Sequence, residues 1–112
     1  MAAELNAVFE ALGDPTRRRV LEILREAPRP ASEIAEQAGV SRAAMSHHLR
    51  VLSTVGLVRD DRGVHDARLR IFRLDAVRIG EAEQWLRELR THWETQLAAF
   101  QRRVAPPEGT SE

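Results

Sequence analysis

The chain has 112 residues, the size of one domain, and its 43% hydrophobic and 30% charged residues are typical of a folded globular protein. The absence of cysteine excludes disulfides, thiolate metal sites and a cysteine nucleophile, and the lack of a long apolar run or a basic, apolar leader predicts a cytoplasmic protein without a membrane span or signal peptide. The formal net charge is zero, but residues 41–73 carry seven arginines against three acids, net +4, whereas residues 1–40 and 74–112 are each net −2.

Two helices are predicted in the first part of the chain. The first is short and ends at Gly13, and its apolar stripe consists of Leu5, Val8, Phe9 and Leu12. Asp14 and Pro15 begin the second helix, because aspartate caps a helix and proline is tolerated at the first helical position. The proline-containing segment 28–30 ends it.

A second pair of helices is predicted within residues 32–55. A two-turn helix over residues 32–38 is followed by Gly39, which suits the left-handed conformation common after a helix. Ser41 is the natural N-cap of the next helix, Gly56 ends it, and its inward side consists of Met45, Leu49 and Leu52. Helix, glycine turn and helix in this order form the sequence plan of a helix-turn-helix.

A β-hairpin and a long helix follow. Residues 57–61 and 69–74 are rich in strand-forming side chains and flank a polar stretch, which predicts two strands with an exposed tip. From Asp75 to about Val104 only Gly80 interrupts a helical pattern about 45 Å long.

The long helix carries more apolar surface than the rest of the chain can cover. Its stripe consists of Ala82, Leu86, Leu89, Trp93, Leu97, Phe100 and Val104, with Trp85 beside it. We therefore expect a second subunit to bury the remainder together with the first helix. Residues 1–104 are predicted to form one domain, and residues 105–112 a disordered tail.

Three stretches resemble the ArsR/SmtB family of bacterial winged helix-turn-helix repressors, namely ALGDPTRRRVLEIL, ASEIAEQAGVSRAAMSHHLRVLSTVGLV and RIFRLD. The resemblance covers roughly residues 5–76, with the same order of elements. It implies a mainly α fold with a small β-hairpin, that is, a winged helix-turn-helix with long N- and C-terminal dimerisation helices. It also implies a homodimer that places one recognition helix per subunit in the major groove and the wing against the backbone or minor groove.

The sequence departs from the metal-sensing members of that family. Those members use cysteines, or an Asp-x-His and His-x-x-Glu set on the last helix. This chain has no cysteine, the histidine is missing from Asp75-Ala76-Val77, and the second pair is replaced by Glu88 and Thr91. We therefore expect no metal and no cofactor, as in the cysteine-free branch of the family.

The outward face of the 41–55 helix and the arginines around the hairpin tip supply the candidate DNA contacts. Arginine can reach phosphate or a guanine edge, and a small side chain can touch a thymine methyl. The predicted DNA-binding residues are Ser41, Arg42, Ala43, Ser46, His47, Arg50, Arg62, Arg68 and Arg70. Among the arginines of the 17–19 run we expect one phosphate contact and otherwise pairs with acids. The predicted dimer contacts are Leu5, Val8, Phe9, Leu12, Trp85, Leu86, Leu89, Trp93, Leu97 and Phe100.

The histidines invite metal and catalytic interpretations. Adjacent helical residues diverge by about 100°, so His47 and His48 cannot chelate one ion, and we expect His47 to point outward and His48 to bond within the domain. Ser46 and His47 likewise cannot meet as nucleophile and base, so we expect no enzyme. Glu88 and His92 lie one turn apart, which leaves open a metal pair across a dimer, although a surface ion pair is the simpler interpretation.

Two classes of function remain. The first is a homodimeric transcriptional regulator, above all a repressor or autorepressor, that binds an inverted-repeat operator in double-stranded DNA. An unidentified small-molecule inducer is left open, for which Trp85 and Trp93 are candidate pocket residues, although interface core is the simpler role for large rings. The alternative is a winged-helix protein-interaction module without specific DNA binding. The arginine-rich middle of the chain favours the first class. The small, polar outward residues of the 41–55 helix also favour it, because a protein-binding face would carry exposed aromatic side chains.

Overall fold

The computed structural model describes residues 2–62 and 70–104. Five helices and three short strands occur in these residues, and the predicted mainly α fold with a small hairpin is confirmed. The helices are α1 (Ala2–Leu12), α2 (Pro15–Glu26), α3 (Ala31–Ala38), α4 (Arg42–Thr54) and α5 (Ala76–Val104), and the strands are β1 (Arg29–Pro30), β2 (Val58–Arg62) and β3 (Arg70–Leu74). The predicted hairpin tip, which includes Arg68, and the predicted tail 105–112 lie outside the described residues.

The predicted helix caps are confirmed. Asp14 precedes α2, and its carboxylate accepts hydrogen bonds from the backbone N–H groups of Thr16 at 2.7 Å and Arg17 at 3.2 Å. Although desolvation pushes the pKa of Asp14 up, these two bonds and the positive charge of Arg17 hold that pKa below its usual value. Ser41 caps α4, where its Oγ accepts from the N–H of Ala44 at 3.1 Å.

The side chains of Arg17 and Arg18 do not form the predicted ion pairs with acids such as Asp14 or Glu22, and the predicted phosphate contact stays a prediction. The Nε of Arg17 donates to the carbonyl of Ala11 at 2.8 Å, and Nη1 of Arg18 donates to the carbonyl of Leu12 at 2.6 Å. The reason is that the last carbonyls of α1 have no partner within their own helix, and the turn before α2 brings both guanidinium groups within reach of them. Of these three arginines, Arg19 is the one with an ion pair among the described residues, to Glu22 at 3.8 Å.

The three strands form an antiparallel sheet in the order β1-β3-β2. The sequence predicted β2 and β3 to within one residue, but it did not predict β1, which falls in the segment interpreted only as a helix stop. A proline is tolerated in such a strand because β1 is at the edge of the sheet. Both neighbours of Phe72 in the register are charged, Arg29 in β1 and Asp60 in β2.

The core of the chain is formed by side chains from Val8 to Ala82. Helices α3 and α4 pack on this core through Ile34, Met45 and Leu52, which are almost completely buried. The remaining buried hydrophobic residues are Val8, Ala11, Val20, Ile23, Leu24, Ala35, Leu49, Leu57, Val58, Phe72 and Ala82.

The chain divides into two compact units, Met1–Ala82 and Glu83–Glu112. The described part of the second unit is the remainder of α5, and most of its large apolar side chains are exposed. The most exposed aromatic side chain is that of Trp93, with 60% of its surface accessible. The exposed apolar face of α5, as we name it, consists of Trp85, Leu86, Leu89, Trp93, Phe100 and Val104. No described helix combines the length and the apolar composition needed to cross a bilayer.

Candidate nucleic-acid interface

Helix α4 presents two chemically different sides. Its inward side is the predicted one, since Met45, Leu49 and Leu52 are 1%, 3% and 0% exposed. The exposed side chains of α4 are polar, cationic or small, and they are those of Arg42, Ala43, Ser46, His47, Arg50, Ser53 and Thr54. We call these seven residues the outer face of α4. The predicted contacts of this helix, Arg42, Ala43, Ser46, His47 and Arg50, all lie on it, and its cap Ser41 is exposed beside it.

The turn between α3 and α4 fixes the direction in which the outer face points. Gly39 has φ +73°, in the left-handed region that strains any residue with a Cβ atom. Its N–H and that of Val40 both donate to the carbonyl of Ala35, at 2.9 and 3.1 Å. These bonds close α3 with a left-handed turn, and the Ser41 cap begins α4 two residues later.

The other end of α4 is tied to the sheet. Gly56 has φ +83°, and a Cβ atom added there would lie 2.9 Å from Cγ of Arg78. The next residue, Leu57, is fully buried and donates its N–H to the carbonyl of Leu52 at 2.9 Å. The carbonyl of Leu57 accepts from Asp75, the residue between β3 and α5, at 2.9 Å. Backbone bonds therefore link α4, β2 and the end of β3 at one point.

The charges on the outer face have no acidic partner among the residues that the structure describes. Arg42 and Arg50 are exposed, and neither forms an ion pair with another described residue. Guanidinium groups in this state can donate to phosphate oxygens or to the O6 and N7 atoms of guanine. His47 is exposed as predicted, with its ring centre 5.7 Å from that of His48.

His48 lies on the inner edge of the helix, as predicted. It is half-buried, and its Nδ1 lies 3.4 Å from Nη1 of Arg17. Since the Nε of Arg17 also donates to the end of α1, this one side chain bridges α1 and α4.

Arg70 is held by the sheet. Its Nε donates to Oδ2 of Asp60 at 2.8 Å, and its guanidinium carbon lies 5.3 Å from the ring centre of Phe72. The side chain of Arg70 nevertheless remains 57% exposed. Of the other predicted wing contacts, Arg62 is the last residue of β2 and is opposite Arg70 in the register, and Arg68 lies outside the described residues.

A groove with a volume of about 510 Å³ lies between α4, the start of α3 and β3. Its walls carry three arginines from two elements, Arg42 and Arg50 from α4 and Arg70 from β3. The sequence did not predict this groove. Its other lining residues are Pro30, Ala31, Ser32, Ser46, Leu49, Ser53, Thr54 and Phe72.

The acids and histidines of the described residues do not gather in groups of three or more suited to a metal ion. The carboxylate of Glu88, one half of the alternative metal pair, accepts a hydrogen bond from Nε2 of Gln84 at 2.9 Å. This bond does not test the metal pair of Glu88 with His92 across a dimer, which stays a prediction.

The placement of the predicted dimer contacts is uneven. On α1, Val8 is completely buried in the core of its own chain and has no surface to offer a partner, whereas Leu5, Phe9 and Leu12 are half-buried. On α5, Leu97 is half-buried, and the other predicted contacts lie on its exposed apolar face.

The sequence is similar to known transcriptional regulators. A family described as "Helix-turn-helix domain" matches residues 12–61. The transcriptional repressor SdpR of Bacillus subtilis is 40% identical over 58 residues, which are 52% of this chain and 64% of SdpR. The matched regions of the other curated relatives amount to about half or less of their lengths.

The fold is similar to solved structures over a longer span. An ArsR-like transcriptional regulator from Rhodococcus sp. RHA1 superposes with a TM-score of 0.81 and 31% identity, over 94% of this chain and 96% of that one. A homodimeric winged helix-turn-helix domain from Mycobacterium bovis, a possible ArsR-family regulator, has a TM-score of 0.63 over 86% of this chain and 83% of that one. Its identity of 20% makes it evidence for the fold alone.

Proposed function

The chain belongs to the ArsR family of winged-helix transcriptional regulators, and from this premise we propose that it is a repressor that binds double-stranded DNA as a homodimer. The main support for DNA binding is the outer face of α4, on which two arginines without a described partner alternate with small and polar side chains. A helix of this kind fits the major groove, which is about 12 Å wide and admits one α-helix. The similarity to SdpR, a transcriptional repressor, supports repression as the outcome.

The proposed contacts divide into two kinds. On α4, Arg42 and Arg50 donate to phosphate oxygens or guanine edges, while Ala43 lies against the bases and Ser46 donates to either. In the wing, Arg70 contacts the backbone from its fixed position beside Asp60. Charge-assisted bonds from the wing to the DNA backbone position the protein on DNA without reading its sequence.

The second copy is proposed to bind at the exposed apolar face of α5. Six large apolar side chains are too much surface for one subunit to leave in water, and two tryptophans among them are typical of an interface core. We also assign the half-buried Leu5, Phe9 and Leu12 of α1 to this interface. A two-fold dimer presents two copies of α4, and therefore the operator is an inverted repeat with half-sites about one helical turn apart.

Fluorescence anisotropy with a labelled duplex from upstream of the chain's own gene tests the proposal. We expect saturable binding that weakens by orders of magnitude between 50 and 200 mM salt, because phosphate contacts release counterions. A scrambled duplex of equal length should bind much more weakly. Absent binding, or binding that ignores salt, would instead favour a winged-helix module that contacts proteins.

A further inference from the structure

The groove between α4 and β3 has the size of a small-molecule site. Its volume of about 510 Å³ lies within the range of ligand pockets, about 300–1,000 Å³. Four elements enclose it, since Pro30 comes from β1, Ala31 from α3, Leu49 from α4 and Phe72 from β3. These four apolar residues give the groove a hydrophobic wall.

The charge of the groove selects the sign of a ligand. Arg70 is already neutralised by Asp60, whose Oδ2 accepts from both Nε and Nη2 of the guanidinium. Arg42 and Arg50 also line the groove, and no described acid neutralises either one. The lining that the structure describes contains no acidic residue, so no described acid compensates the positive charge of the groove, and this charge suits one anionic group.

The remaining polar lining consists of hydroxyl groups. Ser32, Ser46, Ser53 and Thr54 contribute them, and each of these side chains is exposed. Hydroxyls can donate to a carboxylate or sulfonate as readily as to a phosphate. The carbon lining decides between these ligands, because burial of apolar surface favours an anion with an apolar body over a bare phosphate diester.

We propose that this groove binds a small organic anion with an aromatic or aliphatic body, and that the bound anion prevents DNA binding. The anionic group binds Arg42 and Arg50, and the body lies against Phe72 and Ala31. Arg42, Ser46 and Arg50 belong to both the groove and the outer face of α4, so one set of donors cannot serve ligand and DNA together. This competition rests on the proposed function, whereas binding of the anion does not.

The first experiment uses 1-naphthoate as the probe and the full chain labelled with 15N. With 13 non-hydrogen atoms the probe should bind with a Kd of about 1 mM or below. We expect the backbone amide signals of Arg50, Ser53 and Phe72 to shift on titration. The neutral analogue 1-naphthalenemethanol should bind at least about tenfold more weakly, because it cannot accept charge-assisted bonds from the arginines.

A matched pair of variants tests the charge requirement. Thr54 is exposed, lines the groove and is the last residue of α4, so its substitution does not disturb the core. Thr54→Glu should weaken naphthoate binding at least about fivefold, since it places a negative charge beside the bound anion. Thr54→Gln has the shape of Glu without its charge and should therefore bind naphthoate at least about fivefold more tightly than Thr54→Glu does.

Three results would overturn the proposed site. They are an absence of shifts up to 10 mM probe, shifts confined to the indole signals of Trp85 and Trp93, and equal binding of naphthoate and naphthalenemethanol. Equal affinity of the Thr54→Glu and Thr54→Gln chains would also contradict it.

The second experiment separates the site from the proposed function. Naphthoate should displace a labelled duplex at concentrations near its own Kd, and sodium chloride at equal concentration should displace less. Displacement no greater than that by sodium chloride would overturn the competition. A chain that binds naphthoate in the groove but no duplex would support the site while contradicting the proposed function, and the two failures are therefore distinguishable.

Discussion

The DNA-binding hypothesis depends chiefly on the side chains of Arg42 and Arg50. Replacement of either by alanine should weaken operator binding about tenfold or more, since one arginine contact to a base or phosphate is worth about 1–3 kcal/mol. The slope of log affinity against log salt should fall by about one for a phosphate contact. Anisotropy over a salt series measures both quantities.

The control for these variants is Arg25→Ala. Arg25 is an exposed arginine in the last turn of α2 and is not part of the outer face of α4, and its replacement removes the same charge. It should leave operator affinity nearly unchanged. Unaltered affinity in both the Arg42 and Arg50 variants would refute the assignment of the recognition face, provided that thermal unfolding shows them to be as stable as the parent.

Residues with local partners were predictable from the sequence, and those with distant partners were not. The caps formed by Asp14 and Ser41 bond within three residues, so the sequence contains the whole interaction. The bond between Arg70 and Asp60 joins two strands and depends on their register. That bond could not be derived before β2 and β3 were aligned.

Among the helices, α1 and α4 are linked by the side chain of Arg17. Arg17→Ala should destabilise the fold by about 1–2 kcal/mol, because it leaves the carbonyl of Ala11 and the Nδ1 of His48 without this donor. The neighbouring Arg19→Ala should cost less than about 0.5 kcal/mol, since Arg19 is exposed and its pair with Glu22 is long. Urea unfolding of the two variants gives the comparison, and equal losses would argue against a bridging role.

The sequence pattern was sufficient for the helices and for strands β2 and β3 but insufficient for β1. The buried side of α4 follows from a spacing of three to four residues, which one segment displays by itself. Strand β1 has two residues, one of them Pro30, and no alternation to detect. It exists because β3 lies beside it, and the groove was missed for the same reason, since its walls come from residues far apart in the sequence.

At the scale of the whole molecule, the exposed apolar face of α5 predicts assembly. Trp93→Glu places a charge in the middle of that face and should weaken dimerisation by about 100-fold or more, the usual cost of losing a central tryptophan. Operator affinity should fall with it, because a single α4 reads only half of an inverted repeat. Sedimentation equilibrium measures the subunit association.

Thr91→Glu is the matched control for that variant. Thr91 is exposed two residues earlier on α5, about 200° around the helix from Trp93, and therefore away from the apolar face. The Thr91 variant should remain dimeric. If both variants, or neither, become monomeric, the exposed apolar face of α5 is not the contact between subunits.

The described core extends only from Val8 to Ala82, and this limit has an evolutionary consequence. Substitutions beyond Ala82 change no buried side chain among the described residues, so the last three quarters of α5 can diverge at little cost to the fold. In a cell that makes several such regulators, divergence in this part of α5 would favour pairing of identical chains over pairing with paralogues. The specificity of the proposed dimer contact and that of the proposed DNA contact can then evolve separately, because the first lies on α5 and the second on α4.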